Sequence, residues 1–268
     1  MSGTPGNDHS ARGRQIAAIA RFTLLEAGRV RLWWLFIAIL AIACGAAWFV
    51  HQLAITESAR IQTAFLAAMV RLAAVFVLTL HILTSIVREF NDKGLELILS
   101  FDLRRGDYVL GRLLGFLLIA LLIALLATAP QLALAPPHAA LQWGLSLACE
   151  LAIVAALSLF CIMTFTQLMP AASFVLGFYL LARTLTAIRL MDAAPLTGAD
   201  LPSHQVISWV IDGLALVLPA LDRYAQGAWL IGDSAISWPA SAALAAQAAL
   251  YTVLLAAATT FDFQRRNL

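Results

Sequence analysis

Six long apolar stretches, joined by polar connections, constrain this sequence more than any other feature. They cover residues 32–50, 63–87, 108–134, 139–169, 171–190 and 240–261. A helix that crosses a bilayer needs about 20 predominantly apolar residues, and each stretch reaches or approaches that length. Only 12% of the residues are charged, whereas a soluble domain carries roughly a quarter. The sequence therefore predicts an all-α polytopic membrane protein with six transmembrane helices.

The region before the first stretch divides into two parts. Residues 1–11 are polar and bear Gly, Ser and Asn, which is typical of a disordered tail. Residues 12–31 predict an amphipathic helix that lies in the headgroup plane; a soluble cytoplasmic helix is the alternative. Its apolar positions recur at three and four residues: Ile16, Ile19, Ala20, Thr23, Ala27 and Val30. Residues 32–268 then form the transmembrane domain.

The distribution of basic residues predicts the orientation. Twelve of the 17 lysines and arginines fall in the N-terminal region, in the connection between spans two and three, or in the C-terminal tail. Basic residues accumulate in cytoplasmic segments, so both termini are expected to be cytoplasmic. The formal charge of +2 is too small to suggest a nucleic-acid partner.

Two connections are unusual. Pro170 is expected to form a tight turn between the fourth and fifth spans. The long segment 191–239 is only partly apolar, and its stretch 207–218 is too short to cross a bilayer. We expect re-entrant or surface-lying helices there, before span six; an extra pair of crossings would preserve the same orientation.

The connection between spans two and three carries the most specific pattern. Leu95 to Leu99 predict a short helix with an apolar face, preceded by Gly94, and Asp107 can cap the next span. A short amphipathic helix between two spans cannot bury its apolar face within its own loop. We therefore interpret it as a coupling helix for a cytoplasmic partner; an ordinary solvated basic loop is the alternative.

This loop resembles that of the permease subunits of type-2 ABC exporters. The matching residues are Glu89, Lys93, Gly94, Glu96, Leu97, Ile98, Leu99, Ser100, Arg104, Tyr108, Gly111 and Arg112. The resemblance extends to the segment from Leu218 to Tyr224 and to the Arg-Arg-Asn-Leu C-terminus. Two features depart from the family pattern: the family's proline break is absent, and Leu95 stands where the family has threonine.

The resemblance implies half of a transporter in the bacterial inner membrane, an exporter permease with no catalytic or metal-binding residues. Such permeases form dimers, homomeric or heteromeric, and each copy docks a separate ATPase subunit. The residues expected to couple to that subunit are Glu89, Lys93, Gly94, Glu96, Leu97, Leu99, Arg104 and Arg105. The chain has no G-x-x-x-x-G-K-[ST] phosphate loop, so ATP and Mg²⁺ are expected on the partner and no cofactor on this chain.

Arg71, His81, Glu150 and Arg183 interrupt apolar stretches, and ionisable groups inside a membrane are functional candidates. By helix length Arg71 and Glu150 fall in the outer half of the bilayer. Glu150 is therefore expected to pair with Arg71 or Arg183, either as a structural ion pair or as part of a substrate path. His81 is expected to be a hydrogen-bonded structural residue.

Small and sulfur-containing residues are assigned to packing. Gly111 and Gly115 form a G-x-x-x-G pattern, which permits close helix approach within the chain or, alternatively, at a dimer seam. Cys44, Cys149 and Cys161 lie in apolar runs at no metal-site spacing, so we expect them to behave as small hydrophobes.

Two other functions compete with a permease. An intramembrane enzyme acting on a lipid or peptide would need a serine in a G-x-S-G context or paired aspartates, and neither pattern appears. An ion-coupled carrier would need inverted repeats with broken helices, and no internal similarity is visible. The transported substrate is not indicated; the outer arginines favour an anionic headgroup, with membrane lipid as the surrounding partner.

Overall fold

The computed structural model describes residues 5–53, 58–92, 105–193, 209, 211, 213–214, 218–224, 230 and 238–265. Its regular elements are helical. They are α1 (Pro5–Arg29), α2 (Leu32–Leu53), α3 (Ser58–Asn91), α4 (Arg105–Leu134), α5 (Pro137–Phe165), α6 (Leu168–Ala193), a 3-10 helix (Leu221–Arg223) and α7 (Trp238–Arg265).

The six predicted spans are confirmed as helices long and apolar enough to cross a membrane. They are α2 to α7, each with an apolar window of mean hydropathy between 1.5 and 2.7. The helices extend past the apolar stretches at most ends, because polar residues at a helix end can reach water while the backbone stays hydrogen-bonded. This is the architecture of a multi-pass membrane protein.

The connection between the fourth and fifth spans differs from the prediction. The turn consists of Thr166 and Gln167, not Pro170, and Thr166 ends α5 in the left-handed region with φ 57°. Its backbone N–H donates to Ile162 O at 2.9 Å. Pro170 instead occupies the first turn of α6, where its missing N–H breaks no helical hydrogen bond.

Helix α5 is the centre of the bundle, in contact with α3, α4, α6 and α7. Its buried residues surround most of its circumference, as expected for a helix that is apolar on nearly every side. By contrast, α2, α6 and α7 bury only a small share of their apolar windows. These peripheral helices therefore present apolar surface toward lipid or toward another chain.

Helix α1 packs along α4. Its predicted apolar face is confirmed as the buried face, since Ala20, Thr23 and Ala27 are buried. Ile19 lies beside Gly111 and Thr23 beside Gly115, so the two helices run in the same direction over this stretch. The amphipathic pattern is therefore explained by a protein neighbour, and the placement of α1 in the headgroup plane stays a prediction.

The G-x-x-x-G pattern serves packing within the chain, as predicted. A Cβ atom added at Gly111 would lie 2.7 Å from Ile19 Cβ, and one at Gly115 would lie 2.6 Å from Thr23 Cβ. Any larger residue must therefore push α1 away from α4.

Little of the segment before α7 belongs to the described residues. Residues 209, 211, 213 and 214 are helical, and Leu218 N donates to Leu214 O at 2.8 Å. The 3-10 helix packs on α6, and the Tyr224 hydroxyl donates to Leu244 O of α7 at 2.8 Å, with Gln247 Oε1 at 3.5 Å. Whether the segment is re-entrant stays a prediction.

We predict that Gly115→Ala destabilises the protein by about 1–3 kcal/mol, the usual cost of overpacking a close contact. Gly45→Ala on α2 is the matched control, because its Cβ would meet no atom within 4 Å. Chemical unfolding in detergent micelles measures both variants. Equal stability of the Gly115→Ala and Gly45→Ala variants would show that the close contact between α1 and Gly115 does not stabilise the protein.

Candidate functional site

Most of the predicted coupling residues fall within a segment, 93–104, that the structure does not describe. Lys93, Gly94, Glu96, Leu97, Leu99 and Arg104 lie outside the described residues, so the coupling helix stays a prediction. Glu89 and Arg105, at the ends of α3 and α4, are described.

Arg112 is the centre of a polar cluster at this end of the bundle. Its guanidinium pairs with Glu89 of α3 and donates to Glu26 Oε2 of α1 at 2.9 Å and to Thr23 Oγ1 at 3.1 Å. The Ser85 hydroxyl donates to Glu26 Oε1 at 2.8 Å. The Arg112 side chain is 3% exposed, so its charge is compensated by carboxylates on two other helices. We call this group the Arg112 cluster.

Two more contacts join the start of α4 to the neighbouring helices α1 and α7. Arg12 Nε donates to Asp107 Oδ1 at 2.6 Å, and the Asp107 hydrogen bond and charge raise the pKa of Arg12 above its usual value. Asp107 was predicted to cap this span; because α4 begins at Arg105, Asp107 lies within the first turn, where a carboxylate favours the helix dipole. Arg105 Nη1 donates to Phe263 O of α7 at 3.2 Å.

The three predicted intramembrane charges meet in a second cluster. Glu150 of α5 pairs with Arg71 of α3 through Oε2, and its Oε1 lies 3.5 Å from Arg183 Nη1 of α6. The Tyr179 hydroxyl donates to Glu150 Oε1 at 3.0 Å and accepts from Arg183 Nη1 at 2.9 Å. Arg71 Nη2 also donates to Ser146 Oγ at 3.0 Å. We call this group the Glu150 cluster.

Burial differs sharply within the Glu150 cluster. The side chains of Arg71 and Glu150 are 2% and 0% exposed, whereas that of Arg183 is 23% exposed. Arg71 also stacks over the Trp143 ring, with Cζ 5.1 Å from the ring centroid. The buried pair is thus sealed inside the bundle, and Arg183 reaches its surface.

Arg71 and Glu150 lie at equivalent positions along their helices, and therefore at the same depth in the bundle. Arg71 and Glu150 each lie 13 residues from the start of their helices, in the middle part of the bundle and well separated along the helices from the Arg112 cluster. At 1.5 Å per residue that is about 20 Å along each helix. The expected pairing of Glu150 is found with both arginines; its role in a substrate path stays a prediction.

The remaining candidate residues are His81 and the three cysteines, and their surroundings indicate a role in packing. His81 is buried, and its Nε2 atom has no hydrogen-bond partner among the described residues; its ring instead packs edge-on against Phe116 at 6.3 Å. The three cysteines are free thiols, Cys161 buried and the others half-buried. Within the described ranges no three His, Cys, Asp or Glu side chains form a group that could hold a metal ion.

Sequence reasoning missed several members of both clusters. Tyr179 has a visible signal, because it lies four residues before Arg183 and therefore on the same helix face. Glu26 has one too: it is the only acidic residue between positions 12 and 31, and it falls on the apolar face of α1. A lone carboxylate on an apolar face indicates a buried basic partner.

Comparison with known proteins gives no identification: no protein-family model matches the chain, and no curated protein matches it. The described part of the chain defines a class: a helical, multi-pass membrane protein with six helices long and apolar enough to cross a bilayer and with two buried polar clusters.

We predict that Glu150→Gln destabilises the protein by about 3–5 kcal/mol, because removing one partner leaves a buried cation unpaired. Ser158→Ala, also buried on α5, is the control, since its hydroxyl donates to Val154 O of the same helix. Unfolding in detergent measures both. If Glu150→Gln lowers the free energy of unfolding no more than Ser158→Ala does, the result would contradict a structural role for the Glu150–Arg71 ion pair.

We predict that Arg112→Gln weakens the attachment of α1 to α3 and α4, because Glu26 and Glu89 then face each other without a cation. Limited trypsin digestion should cut the exposed arginines of α1 several times faster. Arg88→Gln, an exposed neighbour of Glu89, removes the same charge and should leave α1 protected. Unchanged digestion of Arg112→Gln would contradict the bridging role of Arg112.

Proposed function

We propose that this chain is the permease subunit of an ATP-driven exporter and that it docks a separate ATPase subunit through residues 93–104. The observation that carries the proposal is the loop motif between Glu89 and Arg112. Its support from the fold is that the loop joins two helices of membrane-spanning length, α3 and α4.

The contacts at the loop ends fit such a role. Glu89 and Arg112, both motif residues, pair with each other across the loop. The pair continues to Glu26 of α1, and Arg105 donates to the backbone of α7. A push on the loop would therefore move the ends of α1, α3, α4 and α7 together, because buried ion pairs and close packing resist separation.

The proposed mechanism follows from these attachments. ATP and Mg²⁺ bind to the partner subunit, whose closure displaces the loop. The displacement tilts α3 and α4 and opens a path between two copies of the permease, in which α2, α6 and α7 supply unburied apolar surface. The termini and the loop face the cytoplasm in this scheme, in a bacterial inner membrane.

The alternative, an intramembrane enzyme, receives less support from the described residues. A serine nucleophile needs a base within hydrogen-bond reach. The Ser146 hydroxyl donates to Trp143 O and the Ser158 hydroxyl to Val154 O, each within its own helix. Neither hydroxyl is therefore directed at a base.

The test is complex formation with a Walker-type ATPase encoded beside this chain. The two should copurify from detergent-solubilised membranes, and Leu97→Asp should reduce the bound ATPase at least about tenfold, because an aspartate on the apolar docking face would be buried without a partner. Leu53→Asp is the control and should copurify normally. Leu53 ends α2, on the side of the membrane expected to lie opposite the docking loop. The control variant carries the same substitution on an exposed apolar residue.

Absence of any ATPase from the purified chain would contradict the proposal. Equal amounts bound to the Leu97→Asp and Leu53→Asp variants would contradict the docking site. Thermal unfolding of both variants shows whether each still folds.

A further inference from the structure

An apolar groove of about 590 Å³ opens on the side of the bundle between α2, α3 and α6. Its walls include Ile42, Leu72, Phe76, Leu176, Tyr179 and Leu180. The volume lies within the range of about 300–1,000 Å³ that small-molecule sites occupy. Leu72, Phe76 and Leu180 are exposed, so the groove is open along its length.

The groove adjoins the Glu150 cluster. Tyr179 is a wall residue of the groove, and its hydroxyl belongs to the Glu150 cluster. Arg183 lies one helical turn further along α6, on the same face as Tyr179. Arg183 is not itself a wall residue, but its guanidinium donates to the hydroxyl of the wall residue Tyr179 at 2.9 Å, so a cation lies directly beside the groove.

Among the described residues of the Glu150 cluster, the charges do not balance. The Glu150 cluster contains two guanidiniums and one carboxylate, and the carboxylate is shared between them. A net positive charge at membrane depth is costly unless an anion or water reaches it. Of the two arginines, Arg71 is fully buried, so Arg183 is the one that an anion outside the bundle can approach.

We propose that this groove binds one acyl chain of an anionic amphiphile, with its headgroup against Arg183. The acyl chain fills the section lined by Leu72, Phe76 and Leu180, and the anionic headgroup compensates the excess charge. Arg183 lies ten residues before the end of α6, about 15 Å, and its side chain is 23% exposed, so an anionic headgroup can approach its guanidinium from outside the bundle. Neutral amphiphiles would fill the same groove without the charge contact.

The experiment is lipid retention by the full-length chain in nanodiscs, with no ATPase subunit, so its outcome is independent of the proposed function. The nanodiscs contain phosphatidylcholine and phosphatidylglycerol with identical acyl chains. Native mass spectrometry after release should show one phosphatidylglycerol retained per chain, in preference to phosphatidylcholine.

The variants separate headgroup from acyl binding. Arg183→Gln should lower the phosphatidylglycerol preference at least about tenfold, as loss of a hydrogen bond between charged groups predicts. Arg183→Lys should keep most of the preference, and Leu180→Trp should reduce retention of both lipids by filling the groove. Arg223→Gln is the matched control, because Arg223 is an exposed arginine on the 3-10 helix, outside the groove.

Two results would overturn the proposal. One is equal phosphatidylglycerol retention by the wild type and Arg183→Gln. The other is a disulfide between two copies carrying Phe76→Cys together with no retained phosphatidylglycerol, which would place a second copy of the chain in the groove.

Discussion

The Glu150 carboxylate lies between two guanidiniums on the most enclosed helix of the bundle, and the arrangement of three helices depends on it. Apolar contacts between membrane helices are weakly directional, because lipid offers much the same environment as another helix. A buried carboxylate is different, since a shift of one helical turn would leave Glu150 or Arg71 without its partner. The pair thus fixes the relative height of α3 and α5, and Tyr179 and Arg183 bring α6 to the same level.

The Arg112 cluster applies the same constraint at the end of the bundle where α3 ends and α4 begins, whereas the Glu150 cluster lies nearer the middle. It joins α1, α3 and α4 through Glu26 and Glu89, while the glycine contacts hold α1 close to α4. The bundle therefore has two polar layers, and the packing between them is mainly apolar, with the buried Thr79 and His81 as polar exceptions on α3. α3 belongs to both layers, so a displacement at the end that carries residues 93–104 has a direct route to the Glu150 cluster. If the chain works as proposed, α3 is the helix that carries the motion.

Much of this organisation could be predicted from the sequence because it depends on local quantities. Stretch length and hydropathy predicted the six spans, and the spacing of Gly111 and Gly115 predicted a close helix approach. What could not be predicted was the identity of each neighbour. The periodicity of residues 12–31 indicated an apolar face, but a lipid surface and α4 both satisfy that pattern.

The candidate site shows the same division. Glu150, Arg71 and Arg183 were found because charges stand out in apolar runs, whereas the uncharged Tyr179 and Ser146 were missed, although the four-residue spacing of Tyr179 and Arg183 was a usable signal. The turn at Thr166 was missed because Pro170 is the stronger sequence signal, although proline is equally suited to a first helical turn.

The central claim is that residues 93–104 form a docking site that faces the cytoplasm, and the sidedness of this loop tests it most directly. Glu96→Cys, in a chain whose Cys44, Cys149 and Cys161 are replaced by alanine, can be labelled with a membrane-impermeant maleimide. The account predicts labelling in inside-out vesicles and none in intact spheroplasts. Labelling from the outside of spheroplasts would contradict the orientation, and with it the proposed docking of an ATPase.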